Sequence, residues 1–215
     1  MTAADGHETA RPRAHHRGGP DSYALRFPVV ALVASSGGLD ALTQVLAKLP
    51  GDLPAAVLVV QHLQPEHPSQ LAAILDHRTD LTVATARNGD ELLPSRVLVA
   101  PEGRHLLVTS EARIGLIDSG TLPPSRPSAD LMLATLAVTC GPRVLAVVLT
   151  GKGTDAQAGI RAVAHCGGTV LAQDQATSAH FGMPGAAIDT TLVEQVVALP
   201  DIADSILAHV RDNQG

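Results

Sequence analysis

The chain has 215 residues, 45% of them hydrophobic, with a formal net charge of −6 and a pI near 5.9. This length and apolar content suit one domain with one good core, while the acidic balance and an aromatic content of 1% argue against the basic face and stacking platforms of a nucleic-acid binder. No apolar run is long enough to span a bilayer and no signal-peptide pattern opens the chain; Cys140 and Cys166 have neither metal-site nor disulfide-framework spacing, so a cytoplasmic protein with buried thiols is expected.

Residues 1–26 combine Gly18-Gly19-Pro20, four arginines and three histidines with almost no apolar periodicity, which predicts a disordered leader. Within it His15-His16 reads as solvated tail rather than a metal pair. From Phe27 onward strand-like and helix-like segments alternate, the pattern of βαβ units. Val29–Ala34 is an unbroken apolar run, which predicts a strand over 28–34 buried on both faces of a parallel sheet. Ser35-Ser36-Gly37-Gly38 follows, then a helix over 38–49 stopped by Pro50-Gly51. A strand at 55–61 leads to a helix around 66–78. Strands at 81–86 and 96–100 flank a turn at Asn88-Gly89-Asp90, and 105–109 with 112–117 predicts a hairpin around Glu111. A helix over 127–139 with Pro127 in its first turn ends at Gly141-Pro142. A strand at 143–149 leads to a helix over 155–166, terminated by Gly167-Gly168. A strand at 169–173, a loop through Phe181-Gly182-Met183-Pro184, a short strand near 193–197 and a helix over 201–211 complete the chain. The expected architecture is α/β over residues 27–215: a doubly wound, mostly parallel sheet with helices on both faces and a β-hairpin insertion, in three layers.

Three strand ends carry the polar chemistry. The first stops at Ser35, the second at His62, and the third runs into Gly151-Lys152-Gly153-Thr154-Asp155. In a parallel sheet these ends share one edge, the edge at which open α/β folds bind ligands. A serine at that edge, followed by the amides of a helix start, suits a nucleophile with half an oxyanion hole or a phosphate-binding loop. Nucleophile, base and orienting carboxylate are what acyl transfer requires. Taken singly, Ser35 also reads as a helix cap, Asp155 as the cap of helix 155–166 and His62 as a polar strand terminus. The α/β-hydrolases run serine, acid, histidine and place a glycine where Val33 stands, so that fold is not expected. Ser-Ser-Gly-Gly also lacks the Gly-x-Gly-x-x-Gly spacing of a dinucleotide-binding turn.

Several short stretches, in order, resemble the catalytic domain of the chemotaxis protein-glutamate methylesterases, the CheB family. They are Ala34-Ser35-Ser36-Gly37-Gly38, Gln61-His62-Leu63, Asn88-Gly89-Asp90, Ala100-Pro101-Glu102-Gly103-Arg104-His105, Arg126-Pro127-Ser128-Ala129-Asp130, Leu149–Asp155, Ala172-Gln173-Asp174 and Phe181-Gly182-Met183-Pro184, and the resemblance covers about residues 28 to 198. It implies Ser35 as nucleophile, His62 as base, Asp155 as orienting acid, and the backbone amides of Ser36 and Lys152 as the oxyanion hole. Arg104 and Arg126 become candidate substrate contacts, with structural ion pairs as the alternative. The resemblance further implies hydrolysis of glutamate methyl esters on a receptor-like protein substrate, deamidation of glutamine by the same chemistry, and no metal or cofactor. The other function class is a non-catalytic module that uses Ser35–Gly38 to hold an anion.

The departures from the family pattern fall beside these residues. Lys152 replaces a methionine, Ala156 a glycine, Pro124-Ser125 a basic pair and Gly185-Ala186 an Arg-Glu pair. No triad member is lost, and an amide donor survives any side chain at position 152. Family members usually carry an N-terminal receiver domain that 26 leader residues are too few to form. A stand-alone catalytic domain, active without phosphorylation, is therefore expected.

Overall fold

The computed structural model describes residues 25–62, 69–118 and 126–213. With elements numbered in chain order, β1 (Val29–Ala34), β2 (Ala56–Gln61), β3 (Thr82–Thr85), β4 (Arg96–Val99), β7 (Val144–Val148), β8 (Thr169–Gln173) and β9 (Gln195–Val197) form one sheet in the order β3-β4-β2-β1-β7-β8-β9. Every neighbouring pair in it is parallel. The strands β5 (Arg104–Val108) and β6 (Ile114–Asp118) make the separate antiparallel hairpin.

Period-2 alternation divides the apolar strands between two cores. Val29, Ala31 and Val33 of β1 join the core beneath α3 (Ala129–Cys140), α4 (Gln157–His165), α5 (Gly182–Ile188) and the hairpin. Val30, Leu32 and Ala34 join the other, beneath α1 (Gly38–Leu46), α2 (Leu71–Asp76) and α6 (Ile202–Asp212). Each aliphatic side chain as fully buried as Leu58 or Val147 stabilises the fold by roughly 1.5–3 kcal/mol relative to exposure. Two aliphatic cores thus do the work that aromatics do elsewhere. The result is the expected three-layer α/β/α architecture.

The chain builds outward from the sheet centre in opposite directions, from β1 to β2 and the edge strand β3, with β4 returning between them, on one side, and from β7 to β8 to β9 on the other. Helices leave to opposite faces at that reversal, so a crevice opens beyond the carboxyl ends of β1 and β7.

Three of the differences from the expected boundaries bear on the site. The helix expected from 127 begins at Ala129, because Ser128 is its N-cap and Ser128 Oγ accepts from Leu131 N at 3.4 Å. The helix expected from 155 begins at Gln157. The segment read as a loop through Phe181–Pro184 is the start of α5. Pro184 falls in the first turn, where its missing N–H costs nothing. Part of the helix expected around 66–78, and residues 1–24 of the expected leader, lie outside the described residues; Leu25 and Phe27 already pack against the core.

Candidate active site

Two connections meet at the crevice. In the first, Ser35 N donates to Thr150 O at 3.0 Å and Gly38 N donates to Ser35 O at 2.8 Å. The turn needs glycine at position 37, whose φ is +81° and where an added Cβ would lie 2.9 Å from Ala179 Cβ and 3.3 Å from Thr150 Oγ1. Because a trans peptide is planar, fixing Ser35 C=O toward Gly38 turns the Ser36 N–H to the opposite side.

The second connection repeats this device. Gly151 N donates to His180 O and Met183 N, in the first turn of α5, donates to Gly151 O, both at 2.9 Å. The Lys152 N–H, in the same peptide as Gly151 C=O, is thereby turned away from α5. The amides of Ser36 and Lys152 make no hydrogen bond among the described residues. A Cβ on Gly151 would run into Met183 Sδ and lie 2.9 Å from Ser35 Cβ, so the two connections touch only because position 151 is glycine. The Lys152 side chain itself is exposed.

His62 leaves β2 with its N–H on Ala34 O at 3.1 Å, and its Nε2 lies 2.7 Å from Asp155 Oδ2. Asp155 also accepts from Ala129 N at 2.7 Å, Asp130 N at 3.1 Å and Ser128 Oγ at 3.2 Å. Its carboxylate therefore caps α3 and not its own helix, contrary to the single-residue reading of Asp155 as the cap of helix 155–166. Asp130 Oδ1 returns the favour by accepting from Gly159 N of α4 at 2.8 Å. Burial pushes the Asp155 carboxyl up, but the His62 hydrogen bond and the amides of Ala129 and Asp130 outweigh it and hold Asp155 below its ordinary value. For Asp130 the balance is reversed. Burial, with the neighbouring Asp155 charge, raises its carboxyl despite the Gly159 amide.

Behind this pair, His105 is 3% exposed and its Nδ1 accepts from Ser128 N at 3.0 Å. Burial and then the Arg126 charge lower the His105 pKa, with Asp155 opposing, so the ring stays neutral and keeps its lone pair for Ser128.

Residues 35–40, Gln61 and His62 line one cavity of about 470 Å³. Ser35 and His62 share it without a direct hydrogen bond among the described residues, and such bonds often tighten only when substrate binds. Arg104 and Arg126 do not line it. Arg104 Nε lies 3.0 Å from Asp118 Oδ1 across the hairpin, and Arg126 stands near His105 at the turn into α3. Among the described residues no group of three or more His, Cys, Asp or Glu side chains could hold a metal ion. The supporting roles of Ser128, Asp130, His105 and Met183 were missed by sequence reasoning. Ser128-Ala129-Asp130 before an apolar run carries a recognisable N-cap signal, but its partner lies in another connection.

Residues 30–206 match the family model described as CheB methylesterase. The chain belongs to the CheB methylesterase family. It is similar to the crystal structure of the Thermotoga maritima CheB methylesterase catalytic domain, with a TM-score of 0.81 at 32% identity, covering 85% of this chain and 98% of that one. It is 43% identical over 186 residues to a protein-glutamate methylesterase/protein-glutamine glutaminase of Moorella thermoacetica, covering 85% of this chain and 44% of that protein. Likewise it is 41% identical over 187 residues to protein-glutamate methylesterase/protein-glutamine glutaminase 4 of Myxococcus xanthus, covering 87% of this chain and 53% of that protein. This CheB-family chain thus spans about half the length of the curated relatives it matches. No helix among the described residues is long and apolar enough to cross a membrane.

Proposed function

We propose that this chain is a serine esterase that hydrolyses glutamate methyl esters on a receptor-like protein and deamidates glutamine side chains by the same route. The observation that carries this reading is the 2.7 Å contact of Asp155 with His62, which lines one cavity together with Ser35. Ser35 Oγ attacks the ester carbonyl carbon while His62 takes its proton. Since Nε2 is turned to Asp155, Nδ1 is the nitrogen left to act. Asp155 fixes the ring and stabilises the imidazolium that forms. The oxyanion is met by the amides of Ser36 and Lys152, both held in place before substrate arrives. Collapse of the intermediate expels methoxide, which takes the proton from His62 and leaves as methanol; a glutamine substrate loses ammonia instead. Water, deprotonated by His62, then cleaves the acyl-enzyme to give free glutamate and Ser35. This route uses no metal or cofactor. Arg104 and Arg126 stay as candidates for holding the protein substrate beyond the cavity, and a cytoplasmic site of action follows from the same reading.

The test is methanol release from a methylated chemoreceptor fragment. Ser35→Ala should lower kcat by a factor on the order of 10³ or more with the fold intact. Wild-type protein that binds the methylated fragment without releasing methanol would instead identify a non-catalytic module.

A further inference from the structure

Thr150 lies two residues past β7, 2% exposed, between the two connections. Its carbonyl accepts from Ser35 N at 3.0 Å. Its hydroxyl lies 3.1 Å from Ser36 O and 3.2 Å from His180 O, to which it can donate its single proton in turn, and it accepts from His180 N at 2.9 Å. Its own N–H donates at 2.8 Å to Gln173 Oε1, a fully buried side chain whose Nε2 donates to Thr177 O at 2.8 Å.

One residue therefore grips the backbone on both sides of the Ser36 amide, at Ser35 N and at Ser36 O. The same hydroxyl holds His180, whose carbonyl receives Gly151 N at 2.9 Å, and Gly151 begins the peptide that carries the Lys152 amide. We propose that Thr150 is a positioning residue for the esterase reaction, its hydroxyl holding the Ser36 and Lys152 amides at one mutual spacing. This rests on the reading of Ser35 as nucleophile. The developing charge on the carbonyl oxygen is stabilised only if both donors converge on one point, and that convergence is a property of two separate connections. Thr150 has the hydroxyl that joins them. Neither touching substrate nor exchanging a proton with it, Thr150 should act on turnover and not on ground-state binding.

The experiment measures kcat and KM separately with p-nitrophenyl acetate on the full chain. Valine keeps the volume of threonine and removes the hydroxyl. Thr150→Val should lower kcat about tenfold or more with KM within about twofold, and Thr150→Ser should keep kcat within about threefold of wild type. A role confined to stability would shift melting in Thr150→Val while leaving kcat within twofold, and that result overturns the proposal. If Thr150→Val does not fold, Thr150→Ser and Thr150→Cys decide it, since a thiol is a weak donor in the same place. A lower kcat in the cysteine variant by about tenfold supports the proposal, and equal values overturn it. Absence of turnover in the wild type, or turnover indifferent to Ser35→Ala, sinks the esterase reading itself and is distinguishable from either outcome.

Discussion

The connection after β1 and the connection after β7 aim a backbone amide by the same means, yet they meet their backbone demands differently. After β1 the left-handed position is Gly37, at φ +81°, where glycine carries no penalty. After β7 there are two such positions, Gly153 at φ +90° and Ala156 at φ +97° and 1% exposed, so at the second an L-residue is held in a conformation that its Cβ disfavours. The second connection also carries Asp155, tied to α3 by three donors. Strain is tolerated where surrounding hydrogen bonds over-determine the backbone. The β1 connection meets its left-handed turn with glycine alone; the β7 connection uses glycine at 151 and 153 and relies on its partners at Ala156.

That contrast can be broken most severely where the two connections touch. Gly151→Ala drives a methyl into Met183 Sδ and Ser35 Cβ; displacing Ser35 by even 1 Å should cost about 10²-fold or more in kcat/KM. Gly37→Ala adds left-handed strain and a 2.9 Å approach to Ala179 Cβ, and should destabilise by about 2 kcal/mol in denaturant unfolding. Ala156→Gly should cost far less. Relief of strain worth roughly 1–2 kcal/mol is offset by glycine's roughly 0.5–1 kcal/mol of extra chain entropy and about 0.8 kcal/mol for the buried methyl, so stability should stay within about 1 kcal/mol of wild type with kcat unchanged.

Acid should first loosen the start of α3, where His105 of β5 holds Ser128 N. His105 has its pKa lowered in the fold from 6.5, so the unfolded chain binds protons more readily. Stability is then full above about pH 6.5 and declines as pH falls from there toward the folded value. Asp155, held below its ordinary value, keeps its contribution until pH falls below the usual carboxylate range near 4. Thermal melting should therefore drop between pH 7 and 5, and more gently in His105→Asn, which keeps an acceptor for Ser128 N and cannot be protonated there. A slope identical in both proteins would remove His105 from the account. The smallest effect is expected at Lys152. Its side chain is exposed and the proposed mechanism uses only its amide, so Lys152→Met should change kcat/KM by less than about twofold.

What could be read from the sequence was whatever depends on local pattern. Val29–Ala34, Ala56–Gln61 and Val144–Val148 announce themselves as doubly buried strands, and their ends place Ser35, His62 and Asp155 on one edge. The hairpin and the Asn88-Gly89 turn are equally local. What could not be read depends on distant partners. Phe181-Gly182-Met183-Pro184 looks like a loop by propensity, yet tertiary contact makes it the start of a helix, with Gly182 packed so tightly that an added Cβ would lie 3.0 Å from Gly151 O. Asp155 sits where a cap for α4 belongs, but its donors come from residues 128–130, some 25 positions upstream. Arg104 illustrates the same limit, since only the hairpin register reveals Asp118 opposite it.

The carboxylates of Asp130, in α3, and Asp155, just before α4, bind the starts of the two helices into one opening unit. Releasing either end deprives an aspartate of its donors, so the amides of Ala129, Asp130 and Gly159 should exchange with deuterated solvent together, at a rate set by a single local free energy. These helices approach closely at Gly159, where a Cβ would lie 2.6 Å from Leu133 Cβ. Enlarging that residue would unseat the carboxylate facing His62 at temperatures where the parallel sheet is still whole. Heat inactivation would then run ahead of global melting, and the gap between the two curves would measure how independently this helix pair can open.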